Sequence, residues 1–188
     1  MSDTKTRIVR STGELFRRQG YVGTGLKQIV AEAGAPFGSI YHFFPGGKQQ
    51  LAAEVIRTSG RAYQDLVTAI LDEAPDAATA VETAFAAAAE VLEATGYADA
   101  CPIATVALEV ASTDETLRVA TAEVFEGWVV AGSERFVRWG FDPTTARRLA
   151  LTFITSLEGA FVLCRAARTT EAMVAAGQAV AATVRAAG

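Results

Sequence analysis

An all-α fold follows from three features of this 188-residue sequence. Apolar residues recur at three- and four-residue spacing along nearly its whole length. Glycine and proline fall between those segments. No useful stretch alternates in the two-residue period of a strand. About nine helices are expected, with a short N-terminal group of three ahead of a longer helical bundle.

In chain order, Ile8, Thr12, Leu15 and Phe16 mark the first helix, and Gly20 stops it. Leu26, Ile29, Val30 and Ala33 mark a shorter second helix ended by Gly34. Pro36 suits the start of a very short third. From Lys48 a long helix runs toward Leu71, broken by Pro75. An alanine-rich helix spans about 77–94 and stops at Gly96. Pro102 starts the next, PIATVALEVAS. In TDET, Thr113 and Thr116 form a partial capping box, and Asp114 and Glu115 suit a first turn. That helix ends at Trp139-Gly140. Asp142 before Pro143 caps the eighth, and Thr169 or Thr170 the last.

The net charge of −4 conceals an asymmetry. Residues 1–61 carry nine Lys/Arg and four acids, net +5, whereas the remainder carries eight and seventeen, net −9. A basic head on an acidic body points to a polyanionic partner for the head. The N-terminus MSDTKTRIVR has no secretory apolar region. No run of about eighteen uncharged apolar residues suggests a membrane span. A cytoplasmic protein is expected. Cys101 and Cys164 lie far apart, and the chain has one histidine, so a Cys/His metal site is not expected, nor a cofactor. No nucleophile–base pair stands out, which argues against an enzyme.

The stretch FGSIYHFFPGGK, residues 37–48, gathers the histidine, a tyrosine and three phenylalanines. Helix LKQIVAEA, turn GAP and helix FGSIYHF fit a helix-turn-helix, whose second helix lies in the DNA major groove. On a helical wheel Ile40 and Phe44 face Leu26, Ile29 and Phe16, while Gly38, Ser39, Tyr41 and His42 face out. A glycine on that face lets the backbone approach a duplex closely. Lys48, in the first turn of the next helix, suits a phosphate. Phe37 either turns inward beside Ile40 and Phe44 or meets a thymine methyl in the groove. Both remain open, and either way that position offers no charged reader of bases.

Residues 20–56 resemble the DNA-binding region of the TetR family of bacterial transcriptional regulators. The resemblance rests on Gly20, Thr24, Ile29, Ala33, Gly34, Gly38, Ser39, Ile40, Tyr41, Phe44, Lys48 and Leu51. The extra glycine in PGGK and the segment ACPIATVALEVAS resemble the LmrA/YxaF-like branch. The resemblance implies a homodimeric repressor with an N-terminal DNA-binding domain, 1–47. The remainder, 48–188, would bind a small effector and dimerise. It also implies that Thr24, Ser39, Tyr41, His42 and Lys48 touch DNA, largely phosphates, with Lys27 and Gln28 as further contacts. Its partners would be an inverted-repeat operator, a second copy of the chain and an apolar or aromatic effector.

The body offers less specific signals. Phe125 and Trp128 within one turn, with Leu108 and Glu109 on the helix before and Phe161 beyond, are candidate pocket residues. Phe153, Leu157 and Ala160 in the eighth helix, and Met173, Gly177, Val180 and Val184 in the ninth, form small apolar faces. Those faces suit either a four-helix dimer interface or an intrachain core; with the resemblance, the interface is the expectation. The competing reading is a ligand-binding helical protein that kept the fold and lost specific DNA binding.

Overall fold

The computed structural model describes residues 3–99 and 101–188, which form nine α-helices and, among the described residues, no strand. They are α1 (Asp3–Gln19), α2 (Leu26–Glu32), α3 (Gly38–Phe43), α4 (Gly47–Glu73), α5 (Ala77–Ala94), α6 (Pro102–Val110), α7 (Glu115–Arg138), α8 (Pro143–Ala167) and α9 (Glu171–Ala187). The boundaries follow local chemistry. Gly20 and Gly34 end α1 and α2 with φ of +74° and +57°, a conformation that a Cβ opposes. Asp76 caps α5 by accepting the Thr79 N–H, and Asp142 caps α8 by accepting those of Thr144 and Thr145. At α7 the cap is Asp114, which accepts the Leu117 N–H at 3.0 Å, so the start lies one residue beyond the Thr113 expected as its cap.

Packing divides the chain into two compact units. The first runs to Arg61 and takes in Cys101–Val124; the second holds the stretch beginning at Ala62 and Phe125–Gly188. This division by contacts differs from the boundary at 47/48 expected from the sequence. In the first unit Ile8, Phe16, Ile29, Ile40, Phe44, Leu51 and Ile56 are fully buried. Helix α6 joins this unit because its apolar stripe, Ile103, Val106 and Val110, is buried and the helix packs on α1.

In the second unit α5, α8 and α9 share one core. Here one expectation needs correction. Phe153, Leu157, Ala160, Met173, Gly177, Val180 and Val184 are all buried inside the chain. Phe85 of α5 meets Phe153 edge to face at 5.4 Å. A Cβ on Gly177 would stand 2.8 Å from the Phe85 Cβ, so that glycine serves intrachain packing. The periodicity marked the inward face, because the alanines of α5 leave room for α9 to lie close against it. The apolar side chains left outside are Leu151, Val162 and Leu163 on α8 and Val174 on α9. Helix α8 is also long and apolar enough to cross a membrane by composition. Its inward face is spent on the core, so its surplus lies in that outward set. Cys101 and Cys164 are buried thiols, the former accepting the Ala104 N–H at the start of α6.

Candidate nucleic-acid interface and apolar cavity

Helices α2 and α3 are joined by a tight turn in which the Ala35 N–H reaches back to the Val30 carbonyl at 2.9 Å. Ile40 and Phe44, both 0% exposed, pin α3 to the first unit. This leaves Phe37, Gly38, Tyr41 and His42 exposed and Ser39 half-buried. Phe37 therefore takes the outward of its two alternatives. It is 45% exposed, and its ring meets the Tyr41 ring edge to face at 6.1 Å.

On α2, Lys27 and Gln28 are exposed, and Gln28 exchanges hydrogen bonds with Gln19 of α1. Thr24 differs from its expected role. Its side chain is fully buried, and its hydroxyl donates to the Gly20 carbonyl at 2.6 Å while accepting from the Gln19 amide. A hydroxyl committed in this way shapes the α1–α2 turn rather than meeting a phosphate.

That turn is clasped from two sides. The Glu109 carboxylate of α6 accepts the N–H groups of Tyr21 at 2.7 Å and Val22 at 2.9 Å. Lys48, at the start of α4, donates to the Tyr21 carbonyl at 2.7 Å, and its ammonium lies 4.2 Å from the centre of the Tyr21 ring. Partial burial lowers the Lys48 pKa, while the negative charge of Glu109 works the other way. Burial raises the Tyr21 pKa, with a smaller push from the Asp114 carboxylate. An ammonium has three N–H donors, one of which is on the Tyr21 carbonyl. Glu109, expected in a ligand pocket, thus works inside the first unit. Leu108 beside it is 82% exposed. The signal for this clasp was Gly20 itself: a Cβ there would come 2.0 Å from the Glu109 Oε1.

In the second unit α4, α7 and α8 enclose an apolar cavity. Tyr63, Val67, Leu71, Trp128, Phe136, Phe153, Ile154 and Leu157 form most of its wall, with Gln64, Thr68 and Glu158 as its polar members. Its volume is about 40 Å³. Of the five expected pocket residues, Trp128 lines it. Phe125 touches the Trp128 ring edge to face at 5.4 Å, and Phe161 is buried in the core without lining it. The sequence signal for the α4 wall is Tyr63, Val67 and Leu71, four residues apart on one helix face. Among the described residues no group of His, Cys, Asp and Glu is arranged to hold a metal ion.

Residues 8–55 match the model for bacterial regulatory proteins of the tetR family, and residues 77–179 that for the LmrA/YxaF-like transcriptional regulator C-terminal domain. The HTH-type transcriptional regulator YxaF of Bacillus subtilis (strain 168) is 34% identical over 86% of this chain and 84% of its own. The HTH-type transcriptional regulator LmrA of the same organism is 29% identical over 88% of each chain. The crystal structure of a regulatory protein TetR from Rhodobacter sphaeroides superposes with a TM-score of 0.84 over 96% of this chain and 98% of that one, at 19% identity.

Proposed function

Because this chain belongs to the TetR family of bacterial transcriptional regulators, in its LmrA/YxaF-like branch, we propose that it is a cytoplasmic dimeric repressor released from its operator by an apolar effector. The observation carrying this reading is one helix with two duties. Helix α4 carries Lys48 in its first turn, where it clasps the turn leading into the helix-turn-helix, and later supplies Tyr63, Val67 and Leu71 to the cavity wall. Drug-sized ligands occupy pockets of about 300–1,000 Å³. The cavity, about 40 Å³, is far smaller than that, so an aromatic effector must part α4, α7 and α8 as it enters. Displacing α4 disturbs Lys48 and its hold on Tyr21.

The α3 face and Lys48 are the DNA-contacting surface in this proposal, with Lys27 and Gln28 beside them. The functional domains divide near 47/48 in this proposal, with Lys48 at the junction. The effector site is the cavity itself, read from Trp128 outward to Tyr63, Phe136 and Phe153. The test is a fluorescence-anisotropy titration of the chain's own upstream DNA, repeated with a panel of uncharged aromatic compounds. Release by some of them, with operator weakening their binding by the same factor, is expected. Equal affinity of such compounds for free and DNA-bound protein would remove the effector mechanism.

Dimerisation falls to the exposed apolar set on α8 and α9, where Val162 and Leu163 are 60% and 61% exposed. A two-fold axis through such a face gives a self-complementary contact and demands an inverted-repeat operator. Leu163→Asp should yield folded monomers with operator affinity reduced at least tenfold, read by sedimentation and anisotropy. A Leu163→Asp protein that remains a dimer places the interface elsewhere.

A further inference from the structure

Helix α3 lacks the charged and amide side chains that read bases with paired hydrogen bonds. From Gly34 to Gly47 there is no Arg, Lys, Asn, Gln, Asp or Glu. The bidentate contacts of Arg to guanine and of Asn or Gln to adenine are therefore unavailable to it. In their place stands a pair of rings. Phe37 and Tyr41 lie one helical turn apart, 45% and 52% exposed, and touch edge to face. The two form a continuous aromatic ridge along the exposed flank of α3, adjoining the face that buries Ile40 and Phe44.

Beside the ridge is Gly38. A Cβ added there meets no protein atom within 4 Å, so no contact inside the chain calls for a glycine. An external surface that approaches the backbone closely does. The ridge belongs to the basic head of the chain, in which Lys27 of α2 is exposed. The occupant is thus a polyanion with an apolar feature recessed between its charges. In duplex DNA the major groove has one such feature, the C5-methyl group of thymine.

We infer that Phe37 is a specificity-determining residue which reads a thymine methyl in each operator half-site, with Tyr41 holding its ring in place. The inference rests on the proposed DNA-binding function and adds what the recognition helix selects. It predicts operators with a thymine, not a guanine, as the dominant base under the start of α3.

The experiment uses the full-length protein and a duplex selected from a random library. Each thymine of both half-sites is replaced in turn by deoxyuridine, which removes the methyl and keeps every hydrogen bond. One thymine per half-site should stand out. Burying a methyl corresponds to about a fourfold change, or about fifteenfold when both half-sites are replaced. Phe37→Ala should bind the thymine and deoxyuridine duplexes equally, at the affinity of the wild type for the deoxyuridine form. Phe37→Leu should keep part of the difference. Circular dichroism confirms folding, which an exposed side chain does not govern. If no methyl matters, or if Phe37→Ala keeps the wild-type thymine preference, the inference is overturned while DNA binding stands. If the wild-type protein selects no duplex at all, the DNA-binding function fails first and takes this inference with it.

Discussion

Replacing Gly20 with alanine is expected to destabilise the protein by about 3 kcal/mol and to weaken operator binding. Two effects add. A residue with a Cβ in the left-handed region costs about 1–2 kcal/mol, and Gly20 sits there at φ +74°. The new methyl would also stand 2.0 Å from the Glu109 Oε1, which must move and release the Tyr21 and Val22 N–H groups. Hydrogen bonds to charged groups contribute about 1.5–3 kcal/mol each; the exposure of this pair and the freedom of the Glu109 side chain to shift leave a loss of about 2 kcal/mol for the two together. A double-mutant cycle separates the two effects. In a Glu109→Ala background the clash is gone, so Gly20→Ala should cost only the backbone strain. The cycle should then show a coupling of about 2 kcal/mol by urea unfolding. Strict additivity would mean that Glu109 does not brace the turn.

Phe153→Ala separates the inner from the outer face of α8. Phe to Ala in a core costs about 3–5 kcal/mol. Phe153 already borders the cavity, so a loss near 3 kcal/mol is expected. The unfolding midpoint should fall while the protein stays dimeric in native conditions. That is the opposite of Leu163→Asp, which should separate the subunits and leave each one folded. A Phe153→Ala protein that dissociates without losing stability would restore Phe153 to the interface.

The helices were legible because glycine, proline and Asp caps punctuate a strong three- to four-residue period. The recognition helix was legible too: Ile40 and Phe44 against Tyr41 and His42 is a local pattern, and local patterns survive folding. Inner and outer faces of α8 and α9 were not. Both are apolar, and Leu157 and Leu163 differ only in what stands opposite them. The packing partner is α5, whose alanines carry little pattern of their own. Thr24 was misplaced for a related reason, since a threonine in a turn reads alike whether its hydroxyl meets a phosphate or the Gly20 carbonyl. The partnership of Glu109 with residues 20–22 spans nearly ninety positions and has no periodic signature. Phe37 was left open between two directions, and only the placement of the neighbouring Ile40 and Phe44 selects the outward one.

The most direct test of the central claim, a duplex DNA-binding regulator working through the α3 face and Lys48, is the salt dependence of operator binding by the wild type and Lys48→Ala. Each phosphate neutralised by a lysine contributes about 0.9 to the slope of log K against log salt, so two copies per dimer should flatten it by about 1.8 in the variant. Affinity should fall alike on operator and random DNA, because phosphate contacts carry no sequence information. A wild type with no salt-dependent binding, or a folded Lys48→Ala protein with slope and affinity unchanged, would contradict the account.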